Sequence, residues 1–161
     1  MSLLYFCSLD AEKCFDQLWH SALLYKLWDV MPKSHWLLLY NWYQHLQAVV
    51  KWNNNTSMYF KITRGTRQGS VLSPVIFNVF IDDLLKEIVA SDCGVKIGNF
   101  NCNSFAYADD ITLLSATATG LQKLINVCTL YAQQWRFNFN ITKTKCMTTG
   151  VKLLRQDPIW T

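Results

Sequence analysis

Two adjacent carboxylates, Asp109 and Asp110, interrupt a largely apolar stretch that runs from Phe105 to Leu114. The residues on either side of the pair have the composition of strands, and successive side chains of a strand point to opposite faces. Burying two neighbouring negative charges within such a strand would be costly. The pattern therefore predicts a tight turn at the Asp pair, which joins two antiparallel strands and presents acid at the rim of a sheet.

The acidic pair has two interpretations at this point. It is an ordinary hairpin tip in solvent, since Asp is common in turns, or its like charges share a bound cation, for which Mg²⁺ with its preference for carboxylate oxygen is well suited. A second pair, Asp82 and Asp83, lies within a helical pattern of apolar residues. We assign that second pair to the solvated face of a helix.

Asp10 repeats the arrangement at the end of the apolar run Leu3–Leu9. The length and aromatic content of this run favour a buried strand, and a carboxylate at the C-terminal end of a buried strand is a common ligand position. If this strand neighbours the one that carries Asp109, the two acids meet at one edge and could hold two metal ions about 3.5–4 Å apart. The alternative role of Asp10 is to cap the helix that follows.

The composition of the 161 residues predicts one globular domain with an ample core, since 51% of them are hydrophobic and only 16% are charged. These values exclude intrinsic disorder, and the thin polar surface suggests that some apolar faces meet another domain, a ligand or a missing segment. The net charge of +4 suits an anionic partner without requiring one.

Helical and strand periodicities alternate along the chain in an order typical of an α+β fold. We expect a small, mostly antiparallel sheet with helices packed on one face. Ser73 and Pro74 have the character of a helix start. The predicted helices cover 15–30, 33–50, a segment from 73 to about 88, and 121–135. The predicted strands cover 3–9, 49–52, 58–62, 94–98 and 104–114, with a final strand or two over 137–149.

The six cysteines include no C-x-x-C pair, and we interpret them as reduced thiols of an intracellular protein. The apolar start Leu3–Cys7 is too short for a membrane span and lacks a basic leader. The sequence therefore predicts a nuclear or cytoplasmic protein that is neither secreted nor inserted in a membrane.

Four segments, taken together, resemble the palm domain of reverse transcriptases, and most closely those of non-LTR (LINE-like) retrotransposons. Segment 8–20 resembles the first palm motif, an Asp followed five residues later by an aromatic, and 64–74 resembles the G-x-x-Q-G-x-x-L-S-P loop. Segment 105–110 matches the Y-x-D-D box, and 140–145 is similar to the N-x-x-K-T-K segment after it. Four motifs in the right order are very specific as a set.

The resemblance implies that 1–161 is a partial reverse transcriptase domain, a palm whose fingers and thumb are largely missing. It implies RNA-templated DNA synthesis, in which a primer 3′ hydroxyl attacks the α-phosphate of a deoxynucleoside triphosphate. Two Mg²⁺ ions, which Mn²⁺ can replace, would be held by Asp10, Asp109 and the weaker ligand Asp110. The implied partners are an RNA template, a DNA primer, deoxynucleoside triphosphates, and the fingers, thumb and endonuclease regions of a longer polyprotein if one exists.

The resemblance also assigns roles to other residues. Lys143 would protonate or neutralise the pyrophosphate leaving group, unless it is an ordinary surface lysine. Phe15 would be the steric gate that excludes a ribose 2′ hydroxyl, unless it only anchors the following helix. Gln68 and Gly69 would line the template and incoming base, and Arg67, together with Arg64, would contact the nucleic-acid backbone in a salt-sensitive way.

Two further hypotheses accompany the polymerase. The chain is a non-enzymatic remnant of a retrotransposon reverse transcriptase, or it is a different two-metal enzyme such as a nucleotide cyclase, against which the Gln68–Gly69 loop speaks. Residues that grip the triphosphate belong to the fingers, and positioning supplies much of the rate of phosphoryl transfer. We therefore expect the isolated 161-residue chain to have very weak or no polymerase activity.

Overall fold

The computed structural model describes residues 3–66 and 69–150. The chain divides into two compact units, the first made of 1–12 together with 81–161 and the second of 13–80. The elements follow in the order β1 (Leu4–Asp10), α1 (Cys14–Gln17), α2 (His20–Leu27), α3 (Lys33–Gln44), β2 (Gln47–Ala48), β3 (Lys51–Trp52), β4 (Asn55–Thr56), β5 (Phe60–Lys61), α4 (Leu72–Ala90), β6 (Val95–Ile97), β7 (Phe100–Cys102), β8 (Ser104–Tyr107), β9 (Asp110–Ser115), α5 (Ala118–Trp135) and β10 (Lys145–Thr149).

A four-stranded antiparallel sheet in the order β10-β1-β9-β8 forms the base of the first unit. The two central strands bury alternate side chains, with Cys7 and Leu9 of β1 opposite Leu113 and Ile111 of β9. Helix α5 packs against these strands and contributes its own buried residues, Leu121, Leu124, Cys128 and Tyr131. The predicted α+β fold, a small antiparallel sheet with helical cover, is confirmed.

The predicted turn at the acidic pair is also confirmed, with a small adjustment of its limits. Tyr107 of β8 pairs with Asp110 of β9, so the hairpin turn consists of Ala108 and Asp109. Ala108 has a φ of 53°, a left-handed conformation that is uncommon for residues with a Cβ.

In the second unit, the single helix predicted over 15–30 is wrong, because the chain breaks into α1 and α2 at Leu18 and Trp19. Both residues are extended, with ψ angles of 116° and 117°. The break allows Trp19 to form a β-bridge with Arg64 and the carbonyl of Leu18 to accept from the amide of Gly65 at 2.8 Å. Pairing with a distant segment thus outweighs local helix propensity.

The remaining differences lie at element boundaries. Helix α3 ends at Gln44 rather than at residue 50, and the predicted hairpin after it consists of four two-residue strands that lie within 47–61. Helix α5 begins three residues before the predicted start, because Thr117 caps it by accepting a hydrogen bond from the amide of Gly120 at 3.0 Å. Strand β7, which pairs with β6, was not predicted.

The structure also bears on the predictions for the cysteines and for the second acidic pair, of which only Asp82 is exposed. All six cysteines are free thiols, and burial raises the pKa of Cys128 to about 12. Asp82 is exposed on α4 and pairs with Lys86, with 2.6 Å between Oδ2 and Nζ, whereas Asp83 is half-buried. Within residues 3–66 and 69–150, no helix has the length and apolar character to cross a bilayer.

Candidate active site

Asp10 and Asp110 lie directly opposite each other on the neighbouring strands β1 and β9. Residues that oppose each other in an antiparallel pair project from the same face, with Cβ atoms about 4.5–5.5 Å apart. Leu9 and Ile111, each one position away, are buried, so the two acids lie on the other face of the sheet. The expectation that the two acidic strands are neighbours is confirmed.

The face that carries these acids is open. Tyr107 lies opposite Asp110 on the edge strand and is 86% exposed, and Phe105 on the same strand is 59% exposed. Thus Tyr107, Asp110 and Asp10 form a row across three strands, with acid at its centre and an exposed aromatic at its end. A large substrate has access to such a surface.

Asp109 occupies the turn next to this row and is half-buried, whereas Asp110 is exposed. Its position follows from the strained neighbour Ala108, which turns the chain so that Asp109 leaves the strand alternation. Non-glycine residues with a positive φ are concentrated at functional sites, where the surroundings hold them in place. The turn therefore brings a third carboxylate to the end of the strand pair.

Lys143 donates a hydrogen bond from Nζ to Oδ1 of Asp10 at 3.2 Å, in a pair whose side chains are 65% and 24% exposed respectively. The sequence placed both residues in the site without predicting that they touch. The contact puts a positive charge at the acidic edge of the sheet.

Asn140 holds the segment that carries Lys143, a role that the motif comparison alone did not assign. Its backbone amide donates to the carbonyl of Asp10 at 2.7 Å. Its side-chain Oδ1 accepts from the amides of Thr142 at 3.1 Å and Lys143 at 3.3 Å. Asn and Asp commonly fix turns in this way. The position of Asn140 at the start of the motif was therefore the sequence signal that could have predicted its role.

The donor set suits a hard divalent cation. Carboxylate oxygens are the usual protein ligands of Mg²⁺, which typically takes one or two carboxylates and completes its shell with water and substrate phosphates. Across 3–66 and 69–150, no three His, Cys, Asp or Glu side chains converge on one metal position. Asp10, Asp109 and Asp110 are ligands of the type that such a cation takes together with substrate.

In the second unit, the start of the glycine-containing loop is fixed to the segment that contains Phe15. The amide of Thr66 donates to the carbonyl of Phe15 at 2.7 Å, and the buried His20 donates from Nε2 to the carbonyl of Gly65 at 2.7 Å. Burial lowers the pKa of His20. The structure places His20 in the interior of the second unit, where it supports Gly65.

The predicted substrate residues of this unit are only partly described. Arg67 and Gln68 lie outside the described residues, and Gly69 is exposed with a φ of +80°. Phe15 is half-buried, and its ring centroid lies 5.1 Å from that of Phe77.

The small antiparallel sheet, its helical cover and the acids at the ends of its central strands define a palm-like domain. The family model described as "Reverse transcriptase (RNA-dependent DNA polymerase)" matches residues 2–156. The chain belongs to this reverse transcriptase family, as the sequence motifs predicted.

Relatives with similar sequences come from retrotransposable elements. The Pol polyprotein from the type-2 retrotransposable element R2DM of Drosophila melanogaster is 33% identical over 92% of this chain, which corresponds to 14% of that protein. The RNA-directed DNA polymerase from the mobile element jockey of the same species is 27% identical over 87% of this chain and 16% of that protein. The chain thus spans less than a fifth of either relative, and its kinship is with reverse transcriptases of the non-LTR type.

Solved structures with a similar fold include telomerases. Apo telomerase from Candida tropicalis, truncated from its C-terminal domain, superposes with a TM-score of 0.73 at 15% identity, over 96% of this chain and 32% of that one. Telomerase from Candida albicans in complex with a fragment of telomeric RNA gives 0.67 at 15% identity, over 96% of this chain and 28% of that one. At this identity the likeness supports the fold alone.

Proposed function

We propose that this chain is the catalytic palm of an RNA-directed DNA polymerase of a retroelement. The observation that carries the proposal is the register of β1 and β9, which sets Asp10 opposite Asp110 beside the turn residue Asp109. Carboxylates that share one end of a strand pair can hold the divalent ions that nucleotidyl transfer uses. The chain is also a member of a family described as RNA-dependent DNA polymerases. That membership favours a polymerase over the cyclase-like alternative.

Asp10 and Asp109 would hold two Mg²⁺ ions, for which Mn²⁺ can substitute, and Asp110 would act as a weaker ligand or supporting charge. The bound ions would lower the pKa of the primer hydroxyl and neutralise the triphosphate. The role of the protein would be to hold the carboxylates in place on a hydrogen-bonded strand pair, so that they reorganise little during the reaction.

Lys143 would neutralise or protonate the departing pyrophosphate. Its reach into the site is supported by the 3.2 Å contact between Nζ and Asp10 and by the Asn140 turn that fixes its backbone. An ammonium group near a developing phosphate charge stabilises the transition state more than the ground state, which is the requirement for catalysis.

The remaining roles come from the family resemblance. Phe15 would act as the gate against ribonucleotides, Gln68 and Gly69 would line the template and incoming base, and Arg67 would contact the nucleic-acid backbone. The contact of Phe15 with Phe77, whose rings are tilted by 43°, supports the gate, because a gate residue must keep one position against the sugar. The same contact also suits the alternative in which Phe15 anchors a helix.

We further propose an RNA template, a DNA primer and deoxynucleoside triphosphates as partners, and an intracellular location. Six free thiols are consistent with a reducing compartment. Fingers, thumb and endonuclease regions would belong to a longer polyprotein if one exists.

Primer extension on a homopolymer RNA template with Mg²⁺ or Mn²⁺ tests the proposal, with Asp109→Asn as the inactive control. We expect slow or undetectable synthesis by the 161-residue chain and clear synthesis when the same residues are part of a longer protein with fingers and thumb. Mn²⁺ titration of the 161-residue chain gives an independent measurement. Binding that is unchanged by Asp10→Asn would contradict the shared carboxylate site and favour a non-enzymatic remnant.

A further inference from the structure

The chain between α3 and the glycine-containing loop forms an exposed ribbon, which we define as residues 47–62. Its strands pair in two short ladders, β2 with β5 and β3 with β4. All residues from Lys51 to Lys61 are exposed. Their side chains therefore contribute little to the core of the second unit.

Large apolar side chains are nevertheless concentrated on the ribbon. Met58 is 89% exposed, Tyr59 77% and Trp52 76%. Scattered exposed apolar residues are normal, but a cluster of this size on one short element indicates an interaction surface.

The charges in the segment of sequence that contains the ribbon are of one sign. No Asp or Glu occurs between Asp29 and Asp82, and these 52 residues contain five Lys or Arg, including Lys51 and Lys61 of the ribbon. The chain has eleven acids in 161 residues, and an even spread would place about three or four of them here. Solvated surfaces usually mix both signs, so the absence of acid requires another explanation.

The whole second unit shares this charge bias. Residues 13–80 contain seven Lys and Arg against Asp16 and Asp29, a net charge of +5. The remainder of the chain has eight Lys and Arg against nine acids, a net charge of −1. The excess positive charge of the protein therefore belongs entirely to the unit that carries the ribbon.

Exposed aromatics beside lysines, without acids, suit one class of ligand. Single-stranded nucleic acids bind through stacking of bases on aromatic rings and neutralisation of phosphates by Lys and Arg. A protein partner that covers an apolar patch has no need for an acid-free surround. We propose that the ribbon binds a single-stranded segment of RNA, an inference that rests on the proposed polymerase function for the choice of RNA.

The test measures binding of a fluorescently labelled 12-nucleotide oligouridine to the 161-residue chain. Fluorescence anisotropy, recorded in the presence of EDTA, reports the binding. Trp52→Ala and Tyr59→Ala should each weaken binding about tenfold. Lys51→Gln combined with Lys61→Gln should weaken it and reduce the slope of log K against log salt by about 1.4, since each phosphate contact on a single strand contributes about 0.7.

Matched controls come from the first unit. Phe100 is 80% exposed on the β6–β7 hairpin, and Phe100→Ala should change RNA affinity less than about twofold if stacking is specific to the ribbon. Lys96 and Lys123 are exposed, and replacing both with Gln should leave most of the salt slope intact. Because all these side chains are exposed, far-UV circular dichroism should be unchanged throughout.

Several results would overturn the proposal. The first is wild-type RNA affinity in the ribbon variants, and the second is an equal loss of RNA affinity in Phe100→Ala. The third is a wild-type chain that self-associates or binds protein through the ribbon but does not bind RNA. EDTA removes the metal from the assay, so the outcome is independent of the carboxylate site. RNA binding that depends on the ribbon, in a chain that does not bind Mn²⁺, would refute the proposed polymerase function alone. Mn²⁺ binding at the carboxylates without RNA binding at the ribbon would refute the proposed RNA site alone.

Discussion

The ammonium Nζ of Lys143 lies 3.2 Å from Oδ1 of Asp10, and 133 positions of sequence separate the two residues. The backbone hydrogen bond from Asn140 to the carbonyl of Asp10, 2.7 Å long, fixes this proximity. Any cation that binds Asp10 must therefore compete with, or displace, a lysine.

Lys143→Ala should consequently separate metal binding from catalysis. Removing the competing charge should tighten Mn²⁺ binding by about two- to fivefold, the range of a partly exposed ion pair, while nucleotide incorporation falls. Calorimetric titration with Mn²⁺ gives the first quantity and single-nucleotide extension the second. Lys123→Ala, on α5, should change neither. An unchanged or weaker Mn²⁺ affinity in Lys143→Ala would show that the lysine does not occupy the ligand position.

The three acids should differ in importance. Asp109→Asn and Asp10→Asn should each lower nucleotide incorporation on the order of 100-fold or more, because each would remove a proposed ligand of both ions. Asp110→Asn should cost less, since its carboxylate is exposed at the strand end. Asp82→Asn is the control, an exposed acid on α4 paired with Lys86. Rapid-quench measurements in a longer active protein would compare them, and a larger loss in Asp110→Asn than in Asp109→Asn would reverse the assignment.

Phe15→Val should relax sugar discrimination if Phe15 is the gate. Removing the ring makes room for a 2′ hydroxyl, and incorporation of ribonucleotides relative to deoxynucleotides should rise about tenfold or more. Phe77→Leu removes the aromatic ring that contacts Phe15 and leaves Phe15 in place. If both variants lose stability and neither changes the ratio of ribonucleotide to deoxynucleotide incorporation, Phe15 is only an anchor.

His20 should make stability depend on pH. Burial lowers its pKa below the ordinary value of 6.5, so the folded protein binds this proton less readily than the unfolded chain. Its stabilising contribution is therefore present above about pH 6.5 and is lost as the pH falls below that value. His20→Leu should cost about 1–3 kcal/mol at neutral pH, because Gly65 loses its hydrogen-bond donor. Urea unfolding of both proteins between pH 5 and 8 gives the measurement. A constant difference across this range would contradict the prediction.

Gly65→Ala should destabilise the second unit for two reasons. The residue has a φ of +86°, and a Cβ there would lie 2.8 Å from the carbonyl oxygen of Asp16. The left-handed backbone costs about 1–2 kcal/mol for a residue with a side chain, and the overlap adds about 1–3 kcal/mol. Gly98→Ala isolates the first cost, since its φ is +60° and a Cβ there would meet nothing within 4 Å. Equal urea midpoints for the two variants would mean that the backbone of Asp16 moves to make room for the added Cβ.

The acidic hairpin and the strand that ends at Asp10 were predictable from the sequence. In both places, charged residues directly follow apolar residues that favour burial, so the buried strand must end there. The sequence predicted that the acids meet at one edge only if their two strands are neighbours. The pairing of β1 with β9 meets that condition. The contact between Lys143 and Asp10 was not predictable from local pattern, since it depends on residues 138–140 running beside 10–12. Long-range pairing of this kind leaves no periodicity in either segment.

The break between α1 and α2 has the same cause. Leu18 and Trp19 are compatible with a helix by propensity. Instead, a hydrogen bond between Leu18 and Gly65 and a bridge between Trp19 and Arg64 decide their conformation. The sequence offered no sign that a segment more than forty positions away would compete. The backbone support of the glycine-containing loop thus became visible only once the fold was known.

The division of charge between the two units bears on how a polyanion first meets this protein. Residues 13–80 attract a phosphate chain over roughly 8–10 Å at physiological ionic strength, whereas the slightly negative remainder offers it no such pull. Initial encounter should therefore favour the basic unit and slow sharply with added salt, whereas the proposed metal coordination at the carboxylates is local and should respond far less to ionic strength.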